Sequence, residues 1–259
     1  MSVLRVENVS KQFGGLLAVD AVSFELRRGE RRAILGPNGA GKTTLFNMLG
    51  GQLLPSSGCI ELFGTDVTQM APYRRADLGL ARTFQTTNLF PNLSVEENVI
   101  LTLQVGERLR LAMHRPARSY GRIRLRLAEV LEQWSLQEHR NTHVRYLSYG
   151  EQRRLEIALA LATGPRLLLL DEPTAGLSLE ETRMVESLIA GLDRDVSVVL
   201  IEHDMDVAFE VADWFMVLHN GQVIADGPPD VVRNDPRVRE IYLGADLAEV
   251  RQDPTGPDG

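Results

Sequence analysis

Residues 33–49, AILGPNGAGKTTLFNML, decide the fold of this chain. The apolar run Ala33–Leu35 is typical of a buried strand, and the residues after Thr43 favour a helix. Between them, the stretch from Gly36 to Thr43 fits the pattern G-x-x-x-x-G-K-[ST]. A strand before this pattern and a helix after it are the context that it requires. The sequence therefore predicts a loop that holds the phosphates of a nucleotide.

Each residue type in this loop has a chemical role. Glycines let backbone N–H groups wrap closely around a polyphosphate, and the N-terminus of the following helix adds a partial positive charge. Lys42 supplies a compact charge for the terminal phosphates, and Thr43 supplies a hydroxyl ligand for Mg²⁺. The predicted nucleotide contacts of the loop are Gly36, Pro37, Asn38, Gly39, Ala40, Gly41, Lys42, Thr43 and Thr44.

Two further apolar runs lead to polar residues that suit the same chemistry. Asp171 and Glu172 follow the run Leu167–Leu170, and His203 follows closely after Val196–Ile201. Ligands of open parallel α/β sheets lie beyond the carboxyl ends of the strands, so we expect these residues beside the phosphate loop. Asp171 is predicted to serve Mg²⁺, Glu172 to act as the general base, and His203 to hold the γ-phosphate and the attacking water in line.

Strands and helices alternate in the rest of the pattern, which indicates an α/β fold with a largely parallel sheet. Helices are expected at Glu180–Leu192 and Met205–Ala212. The beginning of the chain is rich in strands and predicts a small antiparallel layer beside the main sheet. The candidate strands there are Leu4–Val9, Val22–Leu26, Arg32–Leu35 and Cys59–Phe63.

Composition excludes several classes of protein. With 44% hydrophobic and 24% charged residues, the 259-residue chain is typical of a soluble globular protein with a substantial core. A single cysteine, Cys59, excludes an internal disulfide, and the net charge of −7 argues against a nucleic-acid-binding surface. No apolar run approaches the roughly 20 residues that span a bilayer. The first ten residues lack a basic leader with an apolar core, so we expect no secretion signal.

The family is indicated by residues 147–152, LSYGEQ, just before the carboxylate strand. They resemble the signature motif LSGGQ of ABC ATPases, with Tyr149 and Glu151 as substitutions. The resemblance implies a P-loop NTPase (RecA-like) core with an antiparallel β-subdomain and an inserted α-helical subdomain at about residues 88–160. Residues 1–250 would form this ATPase domain, and residues 251–259 a disordered tail.

The same resemblance assigns further site residues. Ser148, Gly150 and Glu151 would contact the γ-phosphate of ATP held by an opposite subunit, which implies a head-to-tail dimer with two composite sites. Gln85 matches the Q-loop glutamine that senses Mg²⁺ and the water, and Phe13 matches the aromatic residue that stacks on adenine. Ser178 stands where the D-loop usually ends in Asp.

Between about residues 88 and 152, apolar residues recur at helical spacing, in Val95–Leu103 and Ile123–Trp134. The segment between these two runs, Arg108 to Arg126, is rich in arginine. Two interpretations remain open for it: a solvated helical hairpin, or a contact with membrane head groups or with a cytoplasmic loop of a partner.

Within the ABC family, the chain looks most like the ATPases of branched-chain amino acid importers and their urea and amide relatives. This likeness is carried by residues 13–19, 82–85, 147–150, 202–205 and 241–244. It implies an ATP- and Mg²⁺-dependent motor on the cytoplasmic face of the inner membrane. The partners would be a second ATPase, identical or related, two permeases with coupling helices near Leu89, Phe90 and Leu93, and an extracellular substrate-binding protein. An ATPase of lipopolysaccharide export and a soluble ABC ATPase acting on DNA or ribosomes are the alternatives.

Overall fold

The computed structural model describes residues 2–83, 89–106 and 121–241. In chain order the strands are β1 (Ser2–Phe13), β2 (Leu16–Arg27), β3 (Arg31–Leu35), β4 (Ser57–Leu62), β5 (Thr65–Asp66), β6 (Leu80–Arg82), β7 (Leu167–Asp171), β8 (Ser197–Ile201), β9 (Trp214–His219) and β10 (Gln222–Gly227). The helices are α1 (Lys42–Gly50), α2 (Pro72–Asp77), α3 (Val95–Gly106), α4 (Gly121–Gln133), α5 (Tyr149–Ala162), α6 (Leu179–Ala190), α7 (Met205–Val211) and α8 (Pro229–Asn234).

Two sheets are formed by the described residues. The first is antiparallel, in the order β2-β1-β4-β5. The second has the order β10-β9-β3-β8-β7-β6, and its strands are parallel except for β10, which runs antiparallel to β9. This combination confirms the predicted fold class, a P-loop core beside an antiparallel layer.

The central strands of the second sheet are covered on both faces. Alternate residues of β3, such as Ala33 and Leu35, pack into a core formed with α3 to α6. Ile34 faces the opposite core, which contains α1 and the antiparallel sheet. Every residue of β3, β7 and β8 is buried. Burial on both faces explains why β7 and β8 have nearly continuous apolar sequences.

The central part of the chain contains three helices, α3, α4 and α5, as the helical spacing predicts. Helix α4 turns Ile123, Leu127, Val130 and Leu131 into the core, and Trp134 behind it is 1% exposed. Residues 135–148, between the second predicted helical run and α5, form turns, a short 3₁₀-helix at Val144–Tyr146 and a bridge between Ser94 and His143. The backbone N–H groups of Val95 and Glu96 donate to the carbonyl oxygens of Thr142 and Arg140, and the N–H of Val144 donates to that of Leu93. These bonds stabilise the turns.

Some elements were not predicted from the sequence: α2, α8, β5, β6, β9 and β10. The predicted tail at 251–259, most of Arg108 to Arg126, and the C-terminal residues 242–244 of the subfamily pattern lie outside the described residues. Within the described part of the chain, none of the helices has both the length and the apolar character to cross a membrane.

Candidate functional site

The carboxyl ends of β3, β8 and β7 meet at one edge of the parallel sheet. Ile201 in β8 pairs with Ile34 on one side and with Asp171 on the other. The backbone N–H of Glu172 donates to the carbonyl oxygen of Ile201 at 3.0 Å. Because this register aligns the three strand ends, the phosphate loop after β3, the two acids after β7 and the residues after β8 lie side by side, as predicted.

The phosphate loop depends on glycine at two positions where the backbone is crowded. Gly36 has φ 142°, and a Cβ there would lie 2.1 Å from the carbonyl oxygen of Leu218. Gly41 has φ 101° at the N-cap of α1, and a Cβ there would lie 2.4 Å from the carbonyl oxygen of Ala18. No L side chain fits these conformations and contacts, so the loop geometry follows directly from the sequence pattern.

Lys42 is folded back into its own loop. Its ammonium Nζ donates to the carbonyl oxygens of Gly36 at 2.5 Å and Pro37 at 3.0 Å. Burial lowers the pKa of Lys42, and the negative charges of Glu172 and Asp171 act in the opposite direction. The two acids predicted to act in catalysis therefore lie close to the lysine predicted to bind the terminal phosphates.

Asp171 is buried at the end of β7, and one of its two carboxylate oxygens is hydrogen-bonded within the described residues. Its Oδ2 accepts a hydrogen bond from Nη2 of Arg82 at 3.2 Å. Its Oδ1 is buried and finds no hydrogen-bond partner among the residues that the structure describes. Burial raises the pKa of Asp171, while the guanidinium of Arg82 opposes that rise. An unpartnered carboxylate oxygen beside a phosphate loop fits Mg²⁺, which prefers one or two carboxylates plus phosphate oxygens and water.

Arg82 also connects Asp171 to the helix that follows the phosphate loop. Its Nη1 donates to the side-chain oxygen of Gln52 at 2.8 Å and to the carbonyl oxygen of Phe46 in α1 at 3.3 Å. The guanidinium lies 5.1 Å from the ring centre of Phe46. From the sequence, Arg82 was identified only as part of the subfamily pattern at residues 82–85, with no role predicted for it.

Glu172 is half-buried and has an unusual backbone. Its φ is 45°, in the left-handed region that residues other than glycine seldom adopt. Its carbonyl oxygen accepts hydrogen bonds from the N–H of Ala175 at 3.2 Å and from Nη2 of Arg153 at 2.8 Å. Strained backbone of this kind is found where surrounding contacts determine the conformation, often at functional sites.

His203 is exposed at the end of β8, and the residue before it is a second buried acid. Glu202 is fully buried, and its Oε1 accepts from the hydroxyl of Thr174 at 2.9 Å and from the Thr174 N–H at 3.4 Å. Its Oε2 has no hydrogen-bond partner in the described residues. Burial raises the pKa of Glu202 to about 7, although Thr174 and His203 oppose this rise. From the sequence, Glu202 was identified only as part of the subfamily pattern at residues 202–205, with no role predicted for it.

The signature residues begin helix α5. Ser148 is the N-cap, and its Oγ accepts from the N–H of Glu151, whose Oε2 accepts from the N–H of Ser148 at 2.7 Å. The other carboxylate oxygen of Glu151 lies 2.8 Å from Nε2 of His139. Both carboxylate oxygens of Glu151 therefore bind within the chain. Gly150 packs against Glu181, whose Oε1 would lie 2.1 Å from a Cβ at that position.

Phe13, Gln85 and Ser178 are the remaining residues that the family resemblance singles out. Phe13 is 47% exposed at the tip of the β1–β2 hairpin, with Nζ of Lys11 5.3 Å from its ring centre. Gln85 lies outside the described residues. Ser178 is the N-cap of α6 and forms a capping box with Glu181, a function that Asp would also perform.

The proposed permease contact near residues 89–93 is partly apolar. Phe90 is 58% exposed, whereas Leu89 packs against the core and Leu93 is half-buried. Tyr146, which is 69% exposed, belongs to the segment whose backbone N–H groups bind the carbonyl oxygens of Pro91 and Leu93. The sequence did not identify Tyr146 as part of this surface.

Two protein families match the chain. Residues 19–175, more than half of the chain, match the family described as ABC transporter. Residues 222–248 match the family described as branched-chain amino acid ATP-binding cassette transporter. LivG of Salmonella typhimurium, a high-affinity branched-chain amino acid transport ATP-binding protein, is 40% identical over 93% of this chain and 98% of LivG. BraF of Pseudomonas aeruginosa, which has the same description, is 39% identical over the same shares.

Solved structures agree with these matches. The ADP conformation of MJ1267, an ATP-binding cassette of an ABC transporter, is similar with a TM-score of 0.80 and 30% identity, covering 94% of this chain and 99% of that one. The dimeric post-hydrolysis state of the cassette MJ0796, bound to ADP and Pi, has a TM-score of 0.73 and 28% identity over 87% of this chain and 98% of that one. The chain therefore belongs to the ABC transporter family and is one of its ATP-binding, ATP-hydrolysing subunits.

Proposed function

We propose that this chain powers the uptake of branched-chain or related amino acids through separate membrane permeases. Residues 36–44 bind the phosphates of ATP, and Phe13 stacks on the adenine. Glu172 takes a proton from the attacking water, while His203 holds the water and the γ-phosphate in line. Thr43, Asp171 and Gln85 would hold Mg²⁺, which would neutralise negative charge on the phosphates.

The observation that carries this proposal is the alignment of three strand ends. It places Lys42, Asp171 and Glu172 around one loop, with His203 at the neighbouring strand end. The amino acid cargo is supported by the two relatives, LivG and BraF, which are about 40% identical over nearly their whole length. Both are described as branched-chain amino acid transport proteins.

The chain works as half of an ATPase dimer, with a second copy or a related subunit. Ser148 and Gly150 lie at the start of α5, where helix N–H groups favour an anion, and we propose that this anion is the nucleotide of the opposite subunit. Phe90 and Tyr146 form an apolar surface that receives the cytoplasmic loops of two permeases. The subunit is peripheral on the cytoplasmic face of the membrane, and an extracellular binding protein supplies the cargo.

Uptake measurements test the proposal. A host strain that lacks this chain is given labelled leucine, isoleucine or valine, and is complemented with the unchanged chain, with Glu172→Gln or with Glu180→Gln. Glu180 is an exposed residue at the start of α6 and serves as the control. We expect the unchanged chain and Glu180→Gln to restore uptake and Glu172→Gln to fail. Normal uptake of all three amino acids in the deleted strain would contradict the assigned cargo.

The partners are tested by purification of tagged Glu172→Gln protein from detergent-solubilised membranes of the host. We expect two different multi-helix permeases and a second ATPase. Recovery of a lipid-export permease pair would indicate export and contradict the proposed uptake. Recovery of ribosomes or DNA without membrane proteins would contradict a role in transport.

A further inference from the structure

Arg153 is a buried arginine whose contacts converge on the turn that carries Glu172. It lies in the second turn of α5 and is 2% exposed. Its Nη2 donates to the carbonyl oxygens of Asp171 at 2.5 Å and Glu172 at 2.8 Å, and its Nε donates to that of Pro173 at 3.1 Å. One side chain thus binds three successive backbone carbonyl groups.

The guanidinium is itself held in place. Its Nη1 donates to Oε2 of Glu156, one turn further along α5, at 2.6 Å, and both side chains are nearly inaccessible to solvent. A buried charge is tolerated when it is paired and hydrogen-bonded, and the planar guanidinium fork satisfies several acceptors in a fixed geometry. The ammonium group of lysine could not reproduce this arrangement.

The turn needs such support because its backbone is strained. Glu172 has φ 45°, which is unfavourable for a residue with a Cβ. The N–H of Glu172 is fixed by Ile201 at 3.0 Å, and its carbonyl oxygen is fixed by Arg153 and Ala175. A change in this backbone would move the Glu172 carboxylate away from Lys42, and small displacements of a catalytic group reduce rates strongly.

The other end of the connection is the signature motif. Helix α5 begins directly after Ser148, so Arg153 lies on the same rigid element as the residues proposed to meet the opposite subunit's nucleotide. Because Arg153 connects α5 to the backbone of residues 171–173, a shift of this helix would also shift Glu172.

We propose that Arg153 is a positioning residue for Glu172, which holds the strained turn at residues 171–173 and connects it to the signature helix. The inference rests on the proposed role of Glu172 as general base. In this role Arg153 acts through the backbone of that turn, whose three carbonyl groups it binds.

The test compares Arg153→Lys with Arg154→Lys in the purified full-length chain. Arg154 is the adjacent arginine on the same helix and also donates to two carbonyl oxygens, those of Trp134 and Ser135, both at 3.2 Å. We expect Arg153→Lys to lower the kcat of ATP hydrolysis roughly tenfold or more. We expect its affinity for a fluorescent ATP analogue to stay within about twofold, because the phosphate loop is unchanged. Arg154→Lys should keep both values near those of the unchanged chain.

Thermal unfolding midpoints show whether each variant is folded. If Arg153→Lys does not fold, Glu156→Gln replaces it, since it removes the charge that holds the guanidinium but leaves the three carbonyl contacts possible. A several-fold lower kcat with unchanged nucleotide affinity is then expected.

Three results would overturn the inference. In the first, Arg153→Lys and Arg154→Lys have the same kcat. In the second, kcat and nucleotide affinity fall together, which would mean that Arg153 supports the fold as a whole. In the third, Glu172→Gln hydrolyses ATP normally, which would remove the base assignment and this inference together. An inactive Glu172→Gln beside a fully active Arg153→Lys would contradict the inference alone.

Discussion

At the scale of single residues, Glu202 carries the clearest pH dependence. Burial raises its pKa from 4.5 to about 7 in the folded chain. The folded state therefore holds a proton that the unfolded state releases between these two values, so Glu202 costs stability increasingly as pH rises from about 5 to 8. The full shift corresponds to about 3 kcal/mol of unfolding free energy. We expect Glu202→Gln to stabilise the chain by more at pH 8 than at pH 5, by up to about that amount.

Urea unfolding of both proteins at the two pH values measures this difference, because subtraction cancels the contribution of all other groups. Glu180→Gln, at an exposed position, is the control and should change the unfolding free energy little at either pH. An equal effect of Glu202→Gln at pH 5 and pH 8 would contradict a raised pKa.

Glu172 allows a prediction about chemistry rather than stability. Glutamine has nearly the same shape as glutamate but cannot accept the proton of the attacking water at neutral pH. We expect Glu172→Gln to lower ATP turnover by roughly 10² to 10⁴-fold, the usual contribution of a general base. ATP binding should persist, because Lys42 and the loop remain. Phosphate release and equilibrium binding of ATP measure the two effects separately, and a normal rate of phosphate release would show that Glu172 is not the base.

At the scale of elements, the position of α1 depends on a buried arginine in α2. Arg75 is fully buried and donates to the carbonyl oxygens of Met48 at 2.7 Å and Leu49 at 2.8 Å, at the C-terminal end of α1. It also donates to Met70 at 3.0 Å. Burial lowers its pKa to about 10, so it remains charged at neutral pH, where it also complements the negative end of the helix dipole.

We expect Arg75→Met to lower the unfolding free energy by about 3 kcal/mol, because several buried carbonyl groups lose their donor. Arg74→Met changes the exposed neighbour on the same helix and should cost less than about 1 kcal/mol. Denaturant unfolding of the two variants under the same conditions measures both values. Similar losses in the two variants would show that α1 does not depend on Arg75.

At the scale of the whole molecule, the sequence predicts those parts of the fold and the site that depend on local patterns. The phosphate loop and the strands before Asp171 and His203 were predicted correctly, because glycine spacing and apolar runs are visible along the chain. Helix α2 was missed because it has only six residues, although Pro72 at its first turn is a start signal.

The interior contacts of the site could not be predicted in this way. Arg82 and Arg153 have buried side chains that contact the turn at residues 171–173. Nearly all basic residues of this chain are arginines, and most arginines in its described part are exposed, so residue type alone does not identify these two. What distinguishes them is their acceptors at residues 171–173, which lie between 18 and 89 residues away in sequence. Such contacts follow from the packing of α5 and β6 against β7, which no local pattern encodes.

The proposed division of each active site between two subunits leads to a prediction about Ser148. The contacts of the signature turn described above run to His139 and Glu181, whereas Lys42 contacts its own loop at Gly36 and Pro37. Ser148→Asp keeps an acceptor for the N-cap of α5, so the helix start should be preserved. It also brings a negative charge to the place where the opposite subunit's γ-phosphate would bind. We therefore expect unchanged ATP affinity in the isolated chain, but at least roughly tenfold lower ATPase activity in the assembled transporter.

Lys42→Ala is the matched comparison, because it removes the phosphate contact within the chain itself. It should weaken ATP binding by the isolated chain, which Ser148→Asp should not. Equilibrium nucleotide binding by each purified variant and phosphate release by each purified complex separate the two effects. If Ser148→Asp weakened binding in the isolated chain as much as Lys42→Ala, the signature motif would serve the nucleotide of its own subunit, and the two-subunit arrangement of the site would be wrong. If both variants behave as expected, ATP hydrolysis requires one chain to supply the phosphate loop and general base and another to supply the signature.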